Sequence, residues 1–153
     1  MQAINWLREN KFTVELLLAA LLLTAAILHY YQIQGGREAI ILFAYALAGF
    51  YFLSAFFVPD QTMPLLFATV GIKVINISSA VSIVGITFVL IGGEGALEML
   101  MIGLLSLSAA GLLVLYFAVT TRNSSLFMYL IRVVILGGIT GYMFLSLYKP
   151  ELL

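Results

Sequence analysis

The chain has 153 residues, of which 63% are hydrophobic and 9% charged, with a formal net charge of zero and a mean hydropathy of +1.15. Because globular domains carry about 25% charged residues, this composition predicts an integral membrane protein embedded in the lipid bilayer. The absence of any block of like charge excludes the electrostatic footprint of nucleic-acid binding. The absence of cysteine excludes disulfides and thiolate metal sites.

The predicted elements, in chain order, are a short interfacial helix at 1–11 and five membrane spans, at approximately 12–31, 39–58, 65–91, 96–119 and 126–148. A helix rising about 1.5 Å per residue crosses the hydrocarbon core with about 20 residues. Turn-forming residues separate the segments. We therefore predict an all-α, polytopic transmembrane helix bundle that forms a single integral membrane domain over 1–153. The polar third segment leaves an alternative open, with four spans and a re-entrant or interfacial third segment.

The amino-terminal apolar run follows charged residues, as a removable signal peptide does. It continues into His29, Tyr30 and Tyr31 with a poor cleavage site, so we expect it to be retained. Orientation follows from Lys and Arg, which resist translocation. With the amino terminus inside, the inner side holds five of these residues (Arg8, Lys11, Lys73, Arg122 and Arg132) and the outer side holds Arg37 and Lys149. We expect this orientation, in a bacterial cytoplasmic membrane.

Three charged residues lie inside the predicted spans: Glu15 in the first, Lys73 in the third and Arg132 in the fifth. A charge in hydrocarbon costs about 2.5 to 3.5 kcal/mol on insertion scales, so such groups pair, face water or reach an interface. All three fall on one side of the membrane, where Glu15 would neutralise one cation and leave the other for an anion, a lipid phosphate or a partner's carboxylate. The alternative is that they snorkel to the headgroups or form a structural ion pair.

The third span carries a polar or small face. At about 100° per residue, Thr69, Lys73, Asn76, Ala80 and Thr87 share one side of the helix, with Ser79 beside it. This face is a poor neighbour for lipid. It predicts either helix packing through small and hydroxyl side chains or the lining of a solute path.

Glycine pairs in the fourth and fifth spans indicate close helix packing. Gly103 and Gly111 leave one side of the fourth span without bulky side chains, and Gly137 and Gly141 are four residues apart in the fifth span. Small residues at such spacing let helices approach closely, within or between subunits.

The second span instead carries seven aromatic residues, and we predict that these bulky side chains face the lipid. The alternative is an aromatic-walled site for a quinone, a lipid tail or a carotenoid-like molecule. These residues are Phe43, Tyr45, Phe50, Tyr51, Phe52, Phe56 and Phe57.

We expect no enzyme, no metal site and no cofactor, since His29 is the one histidine and no catalytic motif appears. Two functional hypotheses follow. The first is an oligomeric transport or channel subunit that uses the polar third-span face and the inner-leaflet charges. The second is a non-catalytic structural or assembly subunit of a larger membrane complex. The partners are accordingly further copies of the chain or other membrane subunits.

Overall fold

The computed structural model describes residues 10–56, 66–121 and 125–148. These residues form five α-helices and no strand: α1 (Lys11–Tyr30), α2 (Gly36–Phe56), α3 (Leu66–Ile91), α4 (Ala96–Thr121) and α5 (Ser125–Tyr148). Each helix is long and apolar enough to cross a membrane. The prediction of an all-α bundle with five spans is confirmed. The predicted interfacial helix falls mostly on residues 1–9, outside the described residues.

The connection between α1 and α2 depends on unusual backbone angles. Gln32 and Gly35 have φ angles of +55° and +85°, which reverse the chain within a few residues. Glycine is also required at Gly36, where an added Cβ would lie 2.8 Å from His29 Cα. The second helix begins at Gly36, three residues before the predicted residue 39. Glu38 falls in its first turn, where a negative charge is favoured by the helix dipole.

The third segment is one continuous helix of 26 residues, which excludes a re-entrant segment that turns back midway. The helix stops at a glycine turn in which Gly92 and Gly95 have φ angles of +68° and +78°. The Gly93 N–H donates to the Phe88 carbonyl at 2.7 Å, closing the last turn. The chain then returns directly as α4.

Helix α3 is the centre of the bundle. It packs against α2, α4 and α5, whereas α1 packs on α2 and α5 packs on α4. One apolar cluster joins α2 to α3 through residues such as Leu47 and Ile83. A second cluster joins α3, α4 and α5 around Ile75 and Leu107. Helix α1 lies at the edge and buries one described residue, Ala25.

The α3–α4 interface is held by close backbone approach. A Cβ on Gly103 would lie 2.5 Å from Ser82 Oγ, and one on Gly85 would lie 3.1 Å from the Leu100 backbone nitrogen. Gly71 likewise faces the side chains of Leu113 and Val114. In a bilayer, where lipid is as apolar as leucine, such contact is a main source of helix association.

Candidate functional site

Four helices meet at a polar cluster that we call the charged junction, defined by Glu15, Tyr51, Asn76, Tyr129 and Arg132. Glu15 comes from α1, Tyr51 from α2, Asn76 from α3, and the last two from α5. All five residues lie toward the same end of the bundle, because each is in the half of its helix that is closer to that end. The junction therefore connects the first helix to the last across the central helix.

An ion pair with two parallel hydrogen bonds is the core of the charged junction. Arg132 Nε donates to Glu15 Oε1 at 2.9 Å, and Arg132 Nη2 donates to Glu15 Oε2. The planar guanidinium fork matches the carboxylate, which makes this geometry stronger and more specific than a single contact. This ion pair joins α1 to α5.

The remaining polar atoms of the pair have partners as well. The Tyr51 hydroxyl donates to Glu15 Oε1 at 2.8 Å, and Arg132 Nη1 donates to Asn76 Oδ1 at 2.7 Å. Arg132 Cζ also lies 4.7 Å from the centroid of the Tyr51 ring and 5.5 Å from that of Tyr129. Both distances are within the range of cation–π attraction. The charges are thus compensated by hydrogen bonds and by aromatic faces.

The charged junction is mostly, but not completely, enclosed. The side chains of Arg132 and Glu15 are 17% and 20% exposed, while Tyr51 and Asn76 are buried. Removing one member of such a pair leaves an unpaired charge in a low-dielectric setting, which typically costs about 3 to 5 kcal/mol. The junction is therefore suited to fixing the position of α1 and α5 against the rest of the bundle.

The structure brings together two of the three charged residues that the sequence singles out. Glu15 and Arg132 pair directly, whereas Lys73 is exposed on the outer surface of α3. Lys73 makes no ion pair within the described part of the chain. Val74 and Ile77, beside Lys73 on the surface of α3, are exposed as well, so Lys73 lies at the edge of the polar face and not in its buried part.

The polar face of α3 is turned into the bundle. Thr69, Asn76, Ser79 and Thr87 are all buried. Ser79 Oγ donates to the Ile75 carbonyl and Thr87 Oγ1 to the Ile83 carbonyl, each at 2.7 Å. These hydroxyls are satisfied by their own helix, so in one copy this face packs against other helices.

The four glycines singled out for packing have different surroundings. Gly103 touches Ser82 of α3, and a Cβ on Gly111 would lie 2.7 Å from Val133 Cγ1 of α5. Gly141 faces Leu104 at an ordinary 3.7 Å, and Gly137 has no heavy atom within 4 Å of its Cβ position. Gly103 and Gly111 therefore make close contacts between helices of one copy, whereas Gly137 and Gly141 do not.

The sequence interpretation missed Tyr51. Tyr45, Phe52 and Phe56 are exposed, as lipid-facing side chains have to be, whereas the prediction is wrong for Phe50 and Tyr51, which are buried. Phe43 is half-buried, and Phe57 lies outside the described residues. One available signal was that Tyr51 shares a helix face with Ala44, Leu47, Ala48 and Ala55, a stripe of small and aliphatic residues at helical spacing. Tyr129 was likewise not singled out, and its ring lies beside Arg132.

No group of three or more metal-ligating side chains occurs within residues 10–56, 66–121 and 125–148. A second local feature is an apolar groove of about 350 Å³, lined by Tyr45, Ala48, Gly49, Phe52, Ala80, Val81, Val84 and Met99. It lies between α2, α3 and α4, on another face from the charged junction.

Comparison of the chain with protein-family models, with curated proteins and with solved structures finds no match in any of the three. The geometry of the chain itself is therefore the basis for its functional assignment. The five apolar helices identify an integral membrane protein.

Proposed function

We propose that the protein is a non-catalytic structural or assembly subunit of a larger membrane complex. The observation that carries the proposal is the charged junction, in which Glu15, Arg132, Tyr51 and Asn76 satisfy one another inside a single copy. Buried charges arranged in this way fix helix positions and do not offer a free polar lining. The buried hydroxyls of Ser79 and Thr87 on α3 support the same view, because each donates to a carbonyl of its own helix.

The outer face of α5 is the surface that we assign to a partner helix. Val134, Gly138 and Tyr142 follow one another at four-residue spacing, and all three are exposed. A Cβ on Gly138 would meet no heavy atom within 4 Å. Glycine inside a helix costs about 1 kcal/mol relative to alanine. This cost is recovered where another helix approaches closely. The charged junction holds α5 in place, so this face is presented in a fixed orientation.

Affinity purification from source membranes in a mild detergent tests this proposal. We expect a different membrane protein to be recovered in a fixed ratio to the wild-type chain. Gly138→Leu adds bulk to the proposed contact and should lower that recovery about tenfold, which corresponds to 1.4 kcal/mol. Leu112→Phe is the matched control, since Leu112 is exposed on α4, and this variant should retain the partner.

Two results would contradict the assembly role: recovery of a homo-oligomer free of other proteins, or equal partner recovery with Gly138→Leu and wild type. Circular dichroism of the purified variants separates loss of the contact from loss of the fold. Helical content should be unchanged, because the space beside Gly138 is open.

One observation favours the second candidate, an oligomeric transport or channel subunit. Glu15 and Arg132 keep 20% and 17% of their side-chain surface exposed, so the carboxylate is not sealed inside the bundle. This candidate predicts flux of an ion or solute through the protein in liposomes. It also predicts that Glu15→Gln changes the rate. Absence of flux in wild-type liposomes would count against it.

A further inference from the structure

Lys73 and the apolar groove lie on the same side of α3. Ala80 and Val84 follow Lys73 by seven and eleven residues, which at about 100° per residue places both within about 20° of it around the helix axis. At about 1.5 Å per residue, they lie roughly 10 and 17 Å further along the helix. An exposed cation and a groove therefore form one continuous strip.

The strip extends from one headgroup region to just past the middle of the bilayer. Lys73 lies four residues inside the apolar span Thr69–Ile91, and its long stem lets the ammonium reach the nearby headgroups. The hydrocarbon core is about 30 Å thick, so one leaflet extends for about 15 Å. Counted from Thr69, Ala80 and Val84 lie about 16 and 22 Å along the helix, so a lipid whose headgroup pairs with the Lys73 ammonium would place the end of its chain along these two residues.

The walls of the groove fit a single apolar chain. Its floor is made of small residues, Ala48, Gly49 and Ala80, and its aromatic walls are Tyr45 and Phe52. No heavy atom lies within 4 Å of a Cβ built on Gly49. A volume of about 350 Å³ is at the lower end of the range of about 300 to 1,000 Å³ for small-molecule sites.

Aromatic residues continue from the groove toward the Lys73 end. Phe52 and Phe56 on α2 stack edge to face with ring centroids 5.3 Å apart, and both are exposed. Because consecutive spanning helices alternate in direction, the end of α2 lies beside the beginning of α3, where Lys73 is found. The strip is therefore bordered by apolar rings along α2.

We propose that Lys73 and this groove together form a binding site for one anionic phospholipid. The phosphate pairs with the Lys73 ammonium, which has no acidic partner among the described residues, and one acyl chain occupies the groove between α2, α3 and α4. The site is independent of the proposed assembly role and of the charged junction.

Native mass spectrometry in a mild detergent tests the site, with phosphatidylglycerol and phosphatidylcholine of the same chain length as probes. Wild type should retain one phosphatidylglycerol more tightly than phosphatidylcholine. A basic side chain near a membrane surface contributes about 1 kcal/mol with anionic lipid. Lys73→Gln should therefore weaken phosphatidylglycerol binding about fivefold and leave phosphatidylcholine unchanged. Lys73→Arg should retain the preference.

The groove is tested by Gly49→Leu, which fills it, and by Phe52→Ala, which removes one wall. Both should weaken binding of the two long-chain lipids. Arg37→Gln is the matched charge control, because Arg37 is an exposed cation at the opposite end of the bundle, and it should have no effect. The proposal is overturned if Lys73→Gln binds phosphatidylglycerol like wild type. It is equally overturned if neither groove variant alters binding, or if glycerol phosphate displaces the lipid at equal concentration.

Discussion

The charged junction and the α3–α4 interface hold helices together by opposite means. At the charged junction, Glu15 and Arg132 join two helices at the edge of the bundle through a charge pair and its hydrogen bonds. At the α3–α4 interface, Gly103 lets the backbones approach until Ser82 lies against it. Lipid provides no hydrophobic force between helices, so either a strong polar contact or close packing has to replace it. The first is specific to its partners, whereas the second depends on shape.

The largest effect is expected from Glu15→Gln. This change keeps the shape of the side chain but leaves Arg132 without a counter-charge, so we expect a loss of about 3 to 5 kcal/mol in the free energy of unfolding. Titration with a denaturing detergent in mixed micelles measures it. The double variant Glu15→Gln/Arg132→Gln should be less destabilised than the single one, because no unpaired charge remains. Equal losses in the two variants would show that the pair does not couple α1 to α5.

A smaller effect is expected from Gly103→Ala. The added methyl group would overlap Ser82 Oγ and force α3 and α4 apart, at a cost of about 1 to 3 kcal/mol. The same titration measures it. Gly137→Ala is the control, since no heavy atom lies near its Cβ position. Alanine also favours the helix, so the control should be neutral or stabilising. Destabilisation of both variants to the same degree would argue against close packing at Gly103.

The smallest effect is expected from Ser79→Ala and Thr87→Ala. Both hydroxyls donate to carbonyls of their own helix, and polar contacts between membrane helices average about 0.6 kcal/mol. Each variant should therefore change the free energy of unfolding by less than about 1 kcal/mol. Asn76→Ala provides the contrast, because it removes an acceptor for Arg132 and should cost about 1.5 to 3 kcal/mol. A larger loss with Ser79→Ala than with Asn76→Ala would contradict this account.

Much of the charged junction was within reach of the sequence. Charge in an apolar span is rare, so Glu15, Lys73 and Arg132 are conspicuous, and a carboxylate at the same depth as two cations predicts a pair. The sequence did not distinguish Lys73 from Arg132 as the partner of Glu15. That choice depends on how each helix is rotated, and a rotation of one residue changes the direction of a side chain by about 100°.

Tyr51 and the apolar groove likewise depend on helix rotation, which the sequence does not give. Aromatic residues are equally compatible with lipid and with a protein core, so composition alone assigned all seven of the second span to one environment. The structure buries Phe50 and Tyr51 and leaves Tyr45 and Phe52 exposed around Gly49. The groove is lined by small and aromatic residues from α2, α3 and α4, and such a site depends on how the three helices are arranged in the bundle.

The sequence by itself determined the solvent and the approximate ends of the apolar segments, because apolar length and turn residues are local properties of the chain. The structure decided that the third segment is one continuous helix, long enough for a fifth span. Tertiary structure alone decided which faces meet. It paired Glu15 with Arg132 and left Lys73 outside. It also used Gly103 and Gly111 for internal packing and left Gly137 open. In a bilayer every face of an apolar helix is compatible with its surroundings, so the rotation of each helix is fixed by a few polar and close contacts that its neighbours provide.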